Sequence, residues 1–179
     1  MTMTSNPSGA TYTDAATSIR QAGCMTVYEL FCEQASARAG HCAIEYQGRS
    51  IVYSALAERV ERVVNLLISK GIQRGDRIAV LSENRPEYLE AVVACQNWRL
   101  AVPELERCIN LVSPSILMHS ERFADVAKAI KIEQVEQISF GAAFEDALEK
   151  NVSGPVPEDA EAEDGLIILY TSGTTGRPK

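Results

Sequence analysis

Short apolar runs alternate with helical patterns along most of this chain, and that alternation restricts the fold more than any other feature. Arg77-Ile78-Ala79-Val80-Leu81 is apolar after its first residue and reads as a buried strand. Ile116-Leu117-Met118-His119 and residues 135–140 read as two further strands. Between them lie segments with apolar residues at three- and four-residue steps. The clearest spans about residues 54–69, with Leu56, Val60, Val63 and Leu67 on one face and Gly71 as terminator. A second helix follows Asn84, a suitable cap, with Pro86 in its first turn and Tyr88, Leu89, Val92 and Val93 as its packing face. Residues 103–112 form a third, carrying Leu105, Cys108, Ile109 and Val112, and residues 122–130 a fourth. Strand and helix in turn predict an α/β fold, layered α/β/α with a largely parallel sheet.

Two local signals precede this pattern. Thr26-Val27-Tyr28-Glu29 fits a capping box for a helix bearing Leu30, Phe31 and Ala35, ended by Gly40. Residues 42–46 and 49–52 flank Gln47-Gly48, the two-residue spacing of a tight hairpin. The chain therefore divides into a disordered segment 1–23, an α/β subdomain 24–150, an acidic linker 151–165, and a strand plus loop 166–179. The linker combines Pro155 and Pro157 with five acids among residues 158–164, the composition of a solvated connector.

Composition narrows the function. Of 179 residues, 24 are acidic and 17 basic, a net charge of −7, which argues against a nucleic-acid footprint and for small-molecule or protein partners. A chain of this size buries roughly 70% of the surface it exposes when unfolded, enough for a real core. Cys24, Cys32, Cys42, Cys95 and Cys108 lack the paired spacing of a zinc site or a disulfide scaffold, so buried inert thiols in the reducing cytoplasm are expected. No apolar run reaches the roughly 18 residues of a transmembrane segment. His41 and His119 have no triad partners in view and are read as surface or core-packing residues; Trp98 beside Arg99 is read as a loop anchor. No catalytic residue and no metal ligand is assigned within the chain.

One motif carries chemistry. Leu166-Ile167-Ile168-Leu169-Tyr170 reads as a buried strand, and it runs directly into Thr171-Ser172-Gly173-Thr174-Thr175-Gly176-Arg177-Pro178-Lys179. The glycines permit positive φ, so backbone N–H groups can converge on one point, and four hydroxyls with two cations surround it. That is a phosphate-binding composition. The spacing differs from G-x-x-x-x-G-K-[ST], which disfavours a GTPase or kinase.

The run from Tyr170 to Lys179 resembles, position for position, the signature loop of the acyl-adenylate-forming superfamily: acyl-CoA synthetases, peptide-synthetase adenylation domains and beetle luciferases. Ile51-Val52-Tyr53-Ser54-Ala55-Leu56 is similar to the start of that family's first long helix, and residues 75–87 are similar to a segment common in its acyl-CoA ligases. The resemblance covers residues 26–179, the N-terminal part of the family's large domain. It implies a two-step ligation: a fatty or aromatic carboxylic acid reacts with ATP, with Mg²⁺ present, and the acyl group passes to CoA. It further implies that Thr171, Ser172, Gly173, Thr174, Thr175, Gly176 and Lys179 bind phosphate. Thr171, Ser172 and Thr174 are the expected hydroxyl donors, and Lys179 the cation. A peptide-synthetase adenylation domain and a non-catalytic nucleotide-binding module are the alternatives, and oligomeric state stays open.

Two departures from the family pattern stand out. The adenine-contacting segment, the glutamate associated with Mg²⁺, the ribose-binding aspartate and the C-terminal lysine all follow the loop in the family, so residues 1–179 alone are expected not to adenylate. Between Cys95 and Asn97 the family pattern has a turn and an apolar strand, about a dozen residues by the usual length of such connections, where this chain has only Gln96.

Overall fold

The computed structural model describes residues 23–96, 113–130 and 135–156. The N-terminal segment, the expected helix 103–112, Trp98, and the strand and loop at 166–179 lie outside the described residues.

The first helix, α1 (Val27–Ala37), starts as its sequence dictates. The Glu29 amide donates to the Thr26 hydroxyl at 3.1 Å and the Thr26 amide donates to the Glu29 carboxylate at 2.6 Å, a complete capping box. Strands β1 (Cys42–Tyr46) and β2 (Arg49–Val52) form the expected antiparallel hairpin, with Tyr46 opposite Arg49 across the two-residue turn. Gln47 and Gly48 both take positive φ, 49° and 74°, the twist a two-residue hairpin turn needs. The long helix α2 (Tyr53–Ser69) follows without a break and ends where Gly71 takes φ 79°.

Strands β3 (Ile78–Leu81), β4 (Ile116–Ser120) and β5 (Glu136–Phe140) make a parallel sheet in the order β3-β4-β5. Ile78 lies beside Ile116, and Met118 beside Ile138. Alternation then sorts their side chains to two faces. Ile78, Val80, Ile116, Met118 and Phe140 join one core with Val60, Val63 and Leu67 of α2. Ala91 and Cys95 of α3 (Pro86–Gln96) and Phe144 and Leu148 of α5 (Ala142–Lys150) complete it. On the opposite face Ala79, Leu81 and Leu117 pack with Ile130 and with Ala127 of α4 (Ala124–Ala129). The sheet is thus covered on both sides, as the apolar runs of β3 and β4 require, while the edge strand β5 begins with exposed Glu136 and Gln137.

Several sequence expectations need correction. Helix α5 was not foreseen: Phe144 and Leu148 are its only large buried residues, and no side chain caps it. The helix expected at 122–130 is shorter, because a 3₁₀ turn (Glu121–Phe123) precedes α4. Helix α3 starts at Pro86, so Asn84 stands one residue too early to be its cap. Leu89 is 44% exposed rather than packed, and Glu90 takes the inward position at 0%. Of the cysteines, Cys95 is buried, and burial pushes its thiol up to about 12; Cys24, Cys32 and Cys42 are exposed instead. The histidines agree with their reading as surface or core residues: His119 packs in the core with its Nδ1 3.0 Å from the Ser120 carbonyl, and His41 is exposed.

Phe140 is fully buried and meets the Phe144 ring edge-on, centroids 5.2 Å apart. Phe140→Ala is expected to lower unfolding free energy by about 3–5 kcal/mol, measured by urea titration. Val152→Ala, at a residue 78% exposed, should change it by less than about 0.5 kcal/mol.

Candidate functional site

In parallel α/β sheets ligands bind beyond the carboxyl ends of the strands. Here those ends hold a connected set of polar groups. The buried Ser120 hydroxyl, at the end of β4, donates to the Glu83 carboxylate just after β3 at 2.5 Å. That hydrogen bond is the largest cause holding the Glu83 carboxyl below the usual range. A carboxyl lowered by folding stabilises the fold above the usual carboxylate range, and the contribution fades as pH falls through the lowered value. Arg85 grips Glu87 through two hydrogen bonds of 2.7 and 2.8 Å and sits 5.7 Å above the Phe140 ring. At the end of β5, Gly141 takes φ 145°, and a Cβ there would stand 2.5 Å from a Glu121 carboxylate oxygen. Glycine is required by both the backbone angle and the close approach.

Beside this edge an open groove of about 720 Å³ runs between the hairpin and the first turns of α2, α3 and α5. Its base is one arginine held by two carboxylates. Arg59 donates from Nε and Nη2 to Glu90 at 2.6 and 3.1 Å, and from Nη1 and Nη2 to Glu145 at 2.8 Å each. Burial is the main influence on Glu90 and pushes its carboxyl up, while the Arg59 fork opposes the shift. Hydrogen bonding to Glu145 and Glu90 raises the Arg59 guanidinium above its ordinary value despite partial burial. The geometry fits an ionised fork, since each carboxylate accepts two hydrogen bonds from the guanidinium. The node joins α2, α3 and α5.

All seven residues assigned to phosphate from sequence, Thr171, Ser172, Gly173, Thr174, Thr175, Gly176 and Lys179, lie outside the described residues. Among the described residues no group of three or more His, Cys, Asp or Glu could hold a metal ion, so they supply no Mg²⁺ ligand set. No described helix is long and apolar enough to cross a membrane.

A parallel sheet with helices on both faces and polar groups gathered at its strand ends defines a layered α/β module. Comparison with known proteins sharpens that class. Residues 31–179 match the family model described as AMP-binding enzyme. The chain is 32% identical over 148 residues to feruloyl-CoA synthase of an Amycolatopsis species, covering 76% of this chain and 29% of that protein. It is 32% identical over 174 residues to indoleacetate–CoA ligase of Aromatoleum aromaticum, covering 87% and 34%. The fold superposes on the anthranilate CoA ligase AuaEII, solved with anthranoyl-AMP, with TM-score 0.80 and 16% identity, over 87% of this chain and 34% of that one. The chain belongs to the AMP-binding enzyme family, and it spans about a third of the length of these relatives.

Sequence reasoning missed the Arg59 node. A charged residue at the position three after Leu56, and Glu90 beside Ala91 and Val92, were the only signals, and each reads alone as a solvated helix position. Removing Arg59 strands a buried carboxylate, so Arg59→Met is expected to cost about 3–5 kcal/mol in chemical denaturation. Adding Glu90→Leu should recover most of that loss. A single variant as stable as the parent would show that the pair carries no weight.

Proposed function

We propose that the protein carrying this chain activates a carboxylic acid with ATP and transfers the acyl group to CoA. The observation that carries this reading is the apolar run 166–170 followed in sequence by Thr171-Ser172-Gly173-Thr174-Thr175-Gly176-Arg177-Pro178-Lys179, within the matched residues 31–179. In the first step a carboxylate oxygen attacks the α-phosphorus of MgATP and pyrophosphate leaves. In the second the CoA thiol attacks the acyl carbon, AMP leaves, and the thiol's proton passes to solvent. The loop's task is to hold the leaving pyrophosphate. Backbone N–H groups freed by Gly173 and Gly176, the hydroxyls of Thr171, Ser172, Thr174 and Thr175, and the Lys179 ammonium are the groups suited to take up its growing charge. Feruloyl-CoA synthase and indoleacetate–CoA ligase both take their names from aryl acids, which supports an aromatic acid over a fatty one. The cysteine pattern supports a cytoplasmic setting.

The reading is tested by acid-dependent exchange of pyrophosphate into ATP, run in parallel with aryl and fatty acids. Exchange that depends on an aryl acid is expected. Lys179→Ala and Thr174→Ala should each reduce kcat/KM for ATP by about 1–3 kcal/mol, because each removes a group aimed at the phosphates. Exchange with no carboxylic acid tried, or unchanged kinetics in both variants, would rule the assignment out and leave the non-catalytic module.

A further inference from the structure

Among the described residues β3 has a neighbour on one side only: the strand order is β3-β4-β5, so the side of β3 away from β4 has no described partner. Successive residues of a strand direct their N–H and C=O to opposite sides, so either Ile78 or Ala79 presents both groups to that outer edge. Both residues have 0% exposure, and Val80 has 3%. Buried backbone groups are paired in more than about nine cases in ten, because an unmade bond there has no water to replace it. The outer edge of β3 therefore calls for a partner strand.

Handedness tells from which direction that partner comes. Crossovers between parallel strands of one sheet are almost always right-handed. α4 packs on the face of Ala79, Leu81 and Leu117 and carries the chain from β4 out to β5. α5 packs on the opposite face through Phe144 and Leu148, so a crossover of the same hand returns the chain from β5 toward β3. The chain after α5 takes that course. The Asn65 side-chain amide, near the C-terminal end of α2, donates to the Val152 carbonyl at 2.8 Å, and Val156 packs against the core that α2 shares with α3. β4 already has both neighbours, so the next position in that direction is the outer edge of β3.

Outside the described residues, only Leu166-Ile167-Ile168-Leu169-Tyr170 is an uncharged apolar run as long as β3. After α3, Leu100-Ala101-Val102 is cut short by Pro103; residues 131–134 include Lys131 and Glu133, and residues 1–22 hold no apolar run of four. Residues 157–165 reach about 30 Å when extended, against the roughly 15 Å of three strand spacings from β5 to a place beside β3.

We propose that residues 166–170 form a fourth parallel strand on the outer edge of β3, and that this pairing sets residues 171–179 beside Glu83. Parallel addition ends the new strand level with Leu81. Thr171 then emerges at the carboxyl edge of the sheet, next to the carboxylate that the Ser120 hydroxyl holds. The use of that place for phosphate rests on the functional reading of residues 171–179; the pairing itself does not.

The test is nuclear magnetic resonance on the isotope-labelled full chain, first without nucleotide. Nuclear Overhauser contacts between backbone protons of residues 78–81 and 166–170 are expected, in the pattern of a parallel pair. All four amides of residues 78–81 should exchange within about tenfold of one another, because both sides of β3 are bonded; on a bare edge alternate amides would exchange about a hundredfold faster. Contacts of residues 166–170 with residues 136–140, an antiparallel pattern, another segment beside β3, or a fast alternate pair of amides would overturn the proposal. MgATP is added last. Pairing without shifts at Thr171 and Glu83 fails the phosphate reading alone, whereas shifts there without pairing overturn the placement.

Discussion

The rest of the structure depends on covering both faces of the β3–β4–β5 sheet. Its first two strands are buried along their whole length, with Ile78, Ala79, Leu117 and Met118 all at 0% exposure. Strands buried in this way have apolar residues on both faces, so each face must meet a helix. On one face α2, α3 and α5 share a single core built around Val60, Val63, Cys95, Phe140 and Phe144. The other is closed by the shorter α4 through Ala127 and by Ile130. Three helices converging on one face also bring their first turns together, and the Arg59 node is a consequence of that convergence. Taking Glu90 out of water is costly, and only the fork from α2 makes it tolerable.

The same arrangement explains where chemistry can reside. Parallel strands end together, so Glu83, Ser120 and Gly141 come to one edge although they are far apart in the chain. The cluster is held by one short hydrogen bond and one glycine rather than by a loop with its own core. Under the proposed function, phosphate binding is assigned to residues 171–179, outside the described scaffold.

Much of the fold was legible because it is local. The capping box at Thr26, the hairpin around Gln47-Gly48 and the face of α2 each follow from residues within a few positions of one another. The phosphate-binding proposal for residues 171–179 rests on a signal of the same local kind, since their glycines, hydroxyls and cations are contiguous. What was not legible is long-range. Arg59 and Glu90 are 31 residues apart and Arg59 and Glu145 are 86 apart, and no periodicity relates them. Leu89 and Glu90 show how that matters: hydropathy alone turns Leu89 inward, but the available ion pair turns Glu90 inward instead. Helix α5 escaped notice because two large apolar residues over nine positions barely mark a face.

The most direct test of the central claim is a nuclear magnetic resonance titration of the isotope-labelled chain with MgATP. The account predicts that amide shifts concentrate in residues 171–179, led by Gly173 and Gly176, with smaller changes at the strand ends near Glu83 and Ser120. Shifts confined to other regions, or none at saturating nucleotide, would contradict it.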